Sequence, residues 1–322
     1  MDKIRMGVIG AGSMGRNHLR VISENPAFEL IGLYDTNAEN AQKAAQMYHA
    51  QAFEDMRGLL DAVDAVSIAV PSSLHREVAL EAARAGRHIM LEKPIALNPA
   101  DGQQIIDACA SAGVVLMVGH IERYNPVISE LLKVLENERI FALSFRRLSP
   151  FDPRTGDASV VEDLMIHDID LLCALVDAPV LRITSQGLCI HSNKADYVQT
   201  QFSFENGIIA DVTASRITES KVRRLEVTAQ NAYIVADLLN RTVDIMRQTR
   251  FLPGMERGVS YRQENVVEKV FVPMGEPLRT EFSHFAGCVM SGVQPRTDGE
   301  SALKALTICE RITEGLQTGG KK

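Results

Sequence analysis

The sequence predicts an α/β protein: a doubly wound parallel sheet followed by an α+β domain with an open, mostly antiparallel sheet. Three observations predict this. Strand-like and helix-like runs alternate strictly to about residue 120. A glycine-rich turn, Gly10-Ala11-Gly12-Ser13-Met14-Gly15, separates the first strand from the first helix. Beyond about residue 140 the alternation gives way to short period-two runs joined by turn residues.

Each element has its own signal. Ile4–Ile9 is a short apolar run closed by glycine, as a buried strand is, and residues 13–23 carry a helical period. Phe28–Tyr34 reads as a second strand and Ala38–Tyr48 as a second helix. The run AVSIAV at 65–70 is a third strand, closed by Pro71; residues 75–85 form an Ala/Leu/Glu-rich helix stopped by Gly86. His88–Leu91 is a strand, Pro99–Ala112 a helix stopped by Gly113, and 114–118 (VVLMV) a strand again. Such alternation argues a parallel sheet with helices on both faces. Farther on, one helix is expected at 162–176, then mostly strands over 180–272, among them Tyr197–Phe204, 208–213, 224–228 and 232–235. Asn206-Gly207 between two of these is a hairpin signal, so the neighbours run antiparallel. Helices return at 278–290 and 301–316, before a polar tail at 318–322. The expected division is 1–122 for a dinucleotide-binding domain and 123–322 for an α+β domain.

Composition narrows the class. A chain of 322 residues suggests two domains, and 46% apolar with 23% charged residues excludes disorder and fibrous repeats. The charge of −7 lacks the basic surplus of a nucleic-acid binder, and no apolar stretch reaches the ~18 residues of a membrane span. Cys109, Cys173, Cys189, Cys288 and Cys309 are scattered, without Cys-x-x-Cys, which speaks against a disulfide framework or a zinc site and for reduced thiols. The apolar run at the N-terminus is broken by glycines and then by Arg16, Asn17 and His18, so it does not read as a signal segment; the expected location is the cytoplasm.

The glycine turn follows a strand and opens a helix, the context in which GxGxxG has physical meaning. Gly10 permits the tight turn, Gly12 lets a pyrophosphate approach the backbone, and Gly15 lets the helix pack closely on the strand. The pyrophosphate then meets the unpaired N–H groups around Ser13 and Met14 at the helix start. Asp35 ends the second strand about 20 residues beyond Gly15, the spacing of a carboxylate that accepts ribose hydroxyls. A carboxylate there repels a 2′-phosphate and favours NAD over NADP, although Arg16 could serve a phosphate. The third strand ends in Val70-Pro71-Ser72-Ser73-Leu74-His75, which should lie against the nicotinamide half because ligands bind beyond the carboxyl ends of such strands. Pro71, Ser72 and His75 are therefore cofactor candidates, with Ser72 or Ser73 alternatively a helix cap. Glu92-Lys93-Pro94 follows the next strand at the same edge, which makes Glu92 and Lys93 candidates too.

In the segment Glu162-Asp163-Leu164-Met165-Ile166-His167-Asp168-Ile169-Asp170, the residues Asp163, His167 and Asp170 share one helical stripe. A carboxylate beside an imidazole on an apolar helix carries a desolvation cost that favours a functional use. Together, GAGSMG, Asp35, EKP and Asp-x-x-x-His within DLMIHDIDLL resemble the glucose-fructose oxidoreductase / inositol dehydrogenase (Gfo/Idh/MocA) family over nearly the whole chain. The resemblance implies a Rossmann domain followed by an open sheet used for homo-oligomerisation. It also implies a cis Lys93-Pro94 bond, and Lys93, Asp163 and His167 acting beside the nicotinamide.

The string Gly119-His120-Ile121-Glu122-Arg123-Tyr124-Asn125-Pro126, with EDLMIHDIDLL, resembles the branch that oxidises UDP-N-acetylglucosamine at C3, whose product goes to a transaminase. Other branches oxidise inositols, free sugars or other nucleotide sugars. In that setting His167 is the natural base, Asp163 its partner, and Lys93 a donor to the reacting oxygen. Sequence does not decide which of Lys93 and His167 takes the proton. Candidates on the substrate side are His120, Arg123, Tyr124 and Arg154, with Arg146 and Arg147 as further cations for a diphosphate; the polar stretch 246–262 is a candidate cover. Two other readings compete: a non-catalytic NAD sensor, which has no need of an acid–base pair, and a metal enzyme using His167, Asp168 and Asp170, which lacks convincing further ligands.

Overall fold

A computed structural model describes residues 3–152, 159–191, 193–248 and 265–319. They fall in two compact units, Met1–Tyr124 with Gly275–Glu310, and Asn125–Met274 with Arg311–Lys322.

The first unit is built on six parallel strands, β1 (Ile4–Ile9), β2 (Phe28–Tyr34), β3 (Gln51–Ala52), β4 (Ala65–Ile68), β5 (His88–Leu91) and β6 (Leu116–Val118), in the order β3-β2-β1-β4-β5-β6. The order reverses between β1 and β4, the switch point where such sheets hold ligands. The helices are α1 (Ser13–Glu24), α2 (Ala38–Tyr48), α3 (Met56–Ala62), α4 (His75–Arg84) and α5 (Pro99–Ala112). The period-two pattern of the strands sorts their side chains to two faces. Met6, Val8, Ala65 and Met90 pack with Leu19 and Ile22 of α1, whereas Val66, Ile68, Ile89 and Leu91 pack with Leu59, Val78 and Ile105. The short β3 and α3 are not foreseen from sequence. Asp55 caps α3 by accepting from the Gly58 N–H at 2.7 Å.

Residues 275–310, expected in the second domain, pack with the first unit instead. They include α8 (Pro277–Ser291), whose fully buried Phe282 and Phe285 join the α1 face of the sheet. Phe282 meets Phe28 edge to face at 6.2 Å between ring centres. A helical period announces α8 but says nothing of the sheet it covers, so a boundary drawn along the chain misses this return.

The second unit contains α6 (Pro126–Leu135), one turn of π-helix (Val161–Met165), α7 (Ile166–Leu175) and a nine-stranded sheet. Its strands are β7 (Ile140–Leu148), β8 (Val180–Leu188), β9 (Tyr197–Phe204), β10 (Ile209–Ser215), β11 (Val222–Ala229), β12 (Tyr233–Asp237), β13 (Thr242–Gln248), β14 (Asn265–Val270) and β15 (Gln317–Gly319). The order is β14-β13-β12-β11-β7-β10-β9-β8-β15, antiparallel except for the pairs β7–β10 and β8–β15. Gly207, at φ +83°, makes the tight turn between β9 and β10. The final helix, α9 (Gly299–Glu314), runs across the sequence boundary between the units.

Along β7, Leu143, Phe145 and Arg147 point inward while Arg146 is exposed. Buried Arg147 donates to Asp168 of α7 through Nε (2.9 Å) and Nη2 (2.8 Å), a bidentate pair. Removing one partner of such a pair leaves a buried charge uncompensated. Asp168→Ala should therefore cost about 3–5 kcal/mol, read as a fall in calorimetric Tm, and replacing both residues by apolar ones should recover most of it. An Asp168→Ala protein as stable as the parent would show that the pair holds nothing together.

Candidate functional site

The glycine turn has the geometry its spacing predicts. Gly10 sits at φ +96°, and a Cβ there would lie 2.6 Å from the Ala69 carbonyl oxygen. A Cβ on Gly15 would come within 1.8 Å of the Gly10 oxygen. These two glycines close the turn against β4 and against the first turn of α1. Gly12 differs, because a Cβ there would meet nothing within 4 Å. The start of α1 has no side-chain cap and no acidic residue in its first turn, and Ser13 and Met14 are exposed. Open space over unpaired N–H groups is what a pyrophosphate requires. Arg16 is folded back on the turn, with Nη1 donating to the Ala11 oxygen at 3.2 Å.

Asp35, just beyond β2, stands over the same turn. Its Oδ2 accepts from the Ala11 N–H at 2.6 Å and its Oδ1 from the Asn37 N–H at 2.8 Å. The two bonds fix the carboxylate, whose remaining lone pairs can accept ribose hydroxyls. The residues present thus fit a dinucleotide, whose phosphates the glycine turn would receive and whose ribose Asp35 would hold.

The loops after β4 and β5 lie at the same sheet edge. Pro71 is exposed and Ser72 half-buried at the start of a short 3₁₀ turn, and α4 begins without a side-chain cap. His75 has a different place from the one expected. Its ring is buried, with Nδ1 2.7 Å from the Pro94 oxygen and Nε2 3.1 Å from the Val70 oxygen. The ring nitrogens face backbone carbonyls, so His75 ties the two loops together rather than offering a nitrogen to a ligand. Burial pushes its pKa down, against the pull of the two carbonyls. Lys93 is half-buried beside Glu92, and the Lys93-Pro94 bond is cis.

Glu92 is held by a residue that sequence reasoning passes over. His18, fully buried on α1, places Nε2 3.0 Å from Glu92 Oε1 and Nδ1 2.7 Å from Ser67 Oγ on β4. Glu92 Oε2 accepts the Lys93 N–H at 3.2 Å. Burial alone would raise the Glu92 carboxyl, but the hydrogen bond and charge of His18, with Lys93 adjacent, outweigh it and hold the group below its ordinary range. The available signal was position: His18 lies one helical turn after Gly15, on the face that α1 buries.

Several expected substrate residues are placed otherwise. Tyr124 is a core residue of the first unit, 2% exposed, its hydroxyl 3.3 Å from Thr297 Oγ1 and its ring tilted on His284. It is therefore corrected from a substrate contact to packing. His120 is buried just past β6, and Arg123 is half-buried. Arg147 is bound to Asp168 and is not a diphosphate cation; the same pairing takes Asp168 from the metal alternative. Arg146 is exposed on the sheet. Arg154 and most of the stretch 246–262 lie outside the described residues.

In the second unit, Asp163 lies in the π-helical turn and His167 in the first turn of α7, both half-buried, while Asp170 of the same expected stripe is fully buried. A π turn is a common device at functional sites. The segment is opened by a capping box: Glu162 Oε2 accepts from the Ser159 N–H at 3.0 Å and Ser159 Oγ from the Glu162 N–H at 3.4 Å. This fixes the start of the turn that carries Asp163.

Comparison with known proteins identifies the two domains of the chain. Residues 4–120 match the model of an oxidoreductase family with an NAD-binding Rossmann fold, and residues 141–235 match the GFO/IDH/MocA C-terminal domain. The chain is 36% identical over 256 residues to UDP-N-acetylglucosamine 3-dehydrogenase of Acidithiobacillus ferrooxidans, covering 79% of this chain and 81% of that one. A solved structure of that enzyme superposes with a TM-score of 0.90 at 31% identity, covering 98% of both chains. The scyllo-inositol 2-dehydrogenase (NAD(+)) of Bacillus subtilis is 23% identical over 98% of this chain and 95% of its own. A levoglucosan dehydrogenase solved with NADH and levoglucosan shares the fold at a TM-score of 0.83, with 20% identity over 98% of this chain and 97% of that one. With models of both domains matched in order, the chain belongs to the Gfo/Idh/MocA family of oxidoreductases.

Proposed function

We propose that this protein oxidises the C3 hydroxyl of UDP-N-acetylglucosamine to the ketone with NAD. The likeness to UDP-N-acetylglucosamine 3-dehydrogenase over about four-fifths of both chains carries the reading. When bound, the nicotinamide supplies the hydride acceptor. The chain supplies the rest. His167 accepts the hydroxyl proton, the role an imidazole fills in general base catalysis. Asp163, four residues earlier, orients it. Lys93 donates to the reacting oxygen and stabilises alkoxide character. Arg123 and Arg154 serve the substrate by charge on the diphosphate, while His120, buried just past β6, backs the segment that carries Arg123. The keto group is then ready for an amine donor, so a transaminase is the fitting next enzyme. The open sheet of the second unit pairs with further copies of the chain.

The test is turnover with product analysis. Purified protein incubated with NAD and UDP-N-acetylglucosamine should raise the NADH absorbance, and mass spectrometry of the product should show a sugar nucleotide short of two hydrogens that hydroxylamine converts to an oxime. NADP should serve less well, because Asp35 repels a 2′-phosphate. Parallel incubations with myo-inositol, free N-acetylglucosamine and UDP-glucose set the specificity. Oxidation of an inositol with UDP-N-acetylglucosamine left intact would end the substrate assignment.

A further inference from the structure

We propose that His18 is a positioning residue: through Glu92 it holds Lys93 at the carboxyl edge of the first sheet and ties that placement to the glycine-turn helix. The inference rests on the reading of Lys93 given above. Its basis is a continuous chain of contacts that starts in the core, from Ser67 Oγ to His18 Nδ1 (2.7 Å), His18 Nε2 to Glu92 Oε1 (3.0 Å), and Glu92 Oε2 to the Lys93 N–H (3.2 Å). Three elements contribute, namely α1, β4 and the turn after β5.

The proton inventory allows little freedom. An ionised carboxylate only accepts, so His18 Nε2 meets Glu92 Oε1 as the donor side of the contact, while Nδ1 is paired with the Ser67 hydroxyl, which can donate or accept. Both Glu92 oxygens are thereby directed, one by His18 and one by the backbone of Lys93. The ring is also locked by packing, edge-on to Phe282 at 5.1 Å between ring centres. A Cβ on Gly119 would lie 3.4 Å from Glu92 Oε2, which limits the carboxylate from the β6 side. The titratable groups facing Glu92 are His18 from α1, His75 from α4 and Lys93 beside it. Without His18 the carboxylate keeps its burial and loses its main hydrogen-bond donor. It then takes up a proton at higher pH and its hold on the Lys93 turn loosens. Because α1 also carries the phosphate-binding turn, Lys93 is referenced to the same helix that seats the cofactor.

His18→Leu removes both ring nitrogens at similar volume, and His18→Gln returns one N–H donor toward Glu92. For His18→Leu, kcat should fall about 10-fold to 10²-fold, the scale of a small misplacement of a reacting group. NADH affinity by fluorescence titration should hold, and the acid limb of the pH–rate profile should move to higher pH. His18→Gln should regain most of the lost kcat. Carboxyl ¹³C NMR provides a readout without turnover: Glu92 should be ionised at neutral pH in the parent and titrate higher in His18→Leu. A His18→Leu protein with parental kcat and an unmoved Glu92 titration overturns the proposal. So do Leu and Gln variants that lose activity equally and only in step with Tm. Lys93→Ala separates the two readings. If it keeps its turnover, the role of Lys93 fails; if it is inactive while His18→Leu is fully active, only the relay fails.

Discussion

His167→Ala is expected to turn over at least about 10²-fold more slowly than the parent enzyme, the usual scale for lost acid–base assistance. NADH binding should persist. The two effects separate because the groups belong to different units: the glycine turn and Asp35 to the first, His167 to the first turn of α7 in the second. On the proposed mechanism the substitution removes the proton acceptor, whereas the backbone contacts that hold Asp35 over the glycine turn come from Ala11 and Asn37. Steady-state kinetics with a parallel NADH fluorescence titration checks both halves. Turnover within a few-fold of the parent would remove His167 from the chemistry, and a lost NADH titration would mean that the substitution had disturbed more than the imidazole.

The second large effect is a contrast between two glycines of one motif. Gly15→Ala puts a methyl group 1.8 Å from the Gly10 carbonyl oxygen, a distance only a shift of backbone can relieve. The turn and the start of α1 must move, and NADH binding and thermal stability should fall together. Gly12→Ala meets nothing within 4 Å in the free protein, so its Tm should stay at the parental value. Its NADH affinity should nevertheless drop about tenfold or more, because the new methyl occupies the approach of the pyrophosphate to the backbone. Calorimetry and NADH titration on both variants decide it. Parental affinity in Gly12→Ala would mean that the phosphates bind elsewhere.

The first unit's sheet was the most legible part of the chain. Its central strands are largely buried and separated by helices, and β1, β2 and β5 have the same ends in the sequence reading and in the structure. The glycine turn was legible because each glycine answers a local backbone need. In the second unit α6 and β7 went unread, although Asn125 and Pro126 form an ordinary helix start and Leu143, Phe145 and Arg147 alternate with exposed or half-buried neighbours. His18 was also visible in principle, since a histidine on the buried face of α1 needs partners for two nitrogens. What was not visible was that Ser67 and Glu92 provide them.

Sequence by itself thus determined most strands and helices of the first unit, the glycine turn with Asp35 beyond the second strand, and the family to which the chain belongs. Tertiary structure alone decided that 275–310 return to the first unit, that Tyr124 is packing, that Arg147 belongs to Asp168, and that His75 and His18 brace the loops around Lys93. The physical reason is that hydrophobic period and turn chemistry are properties of neighbours along the chain. They state which way a side chain points from its own helix or strand. Whether it meets open space, a carbonyl or a charge depends on a residue from a distant segment, and only the folded chain supplies that partner.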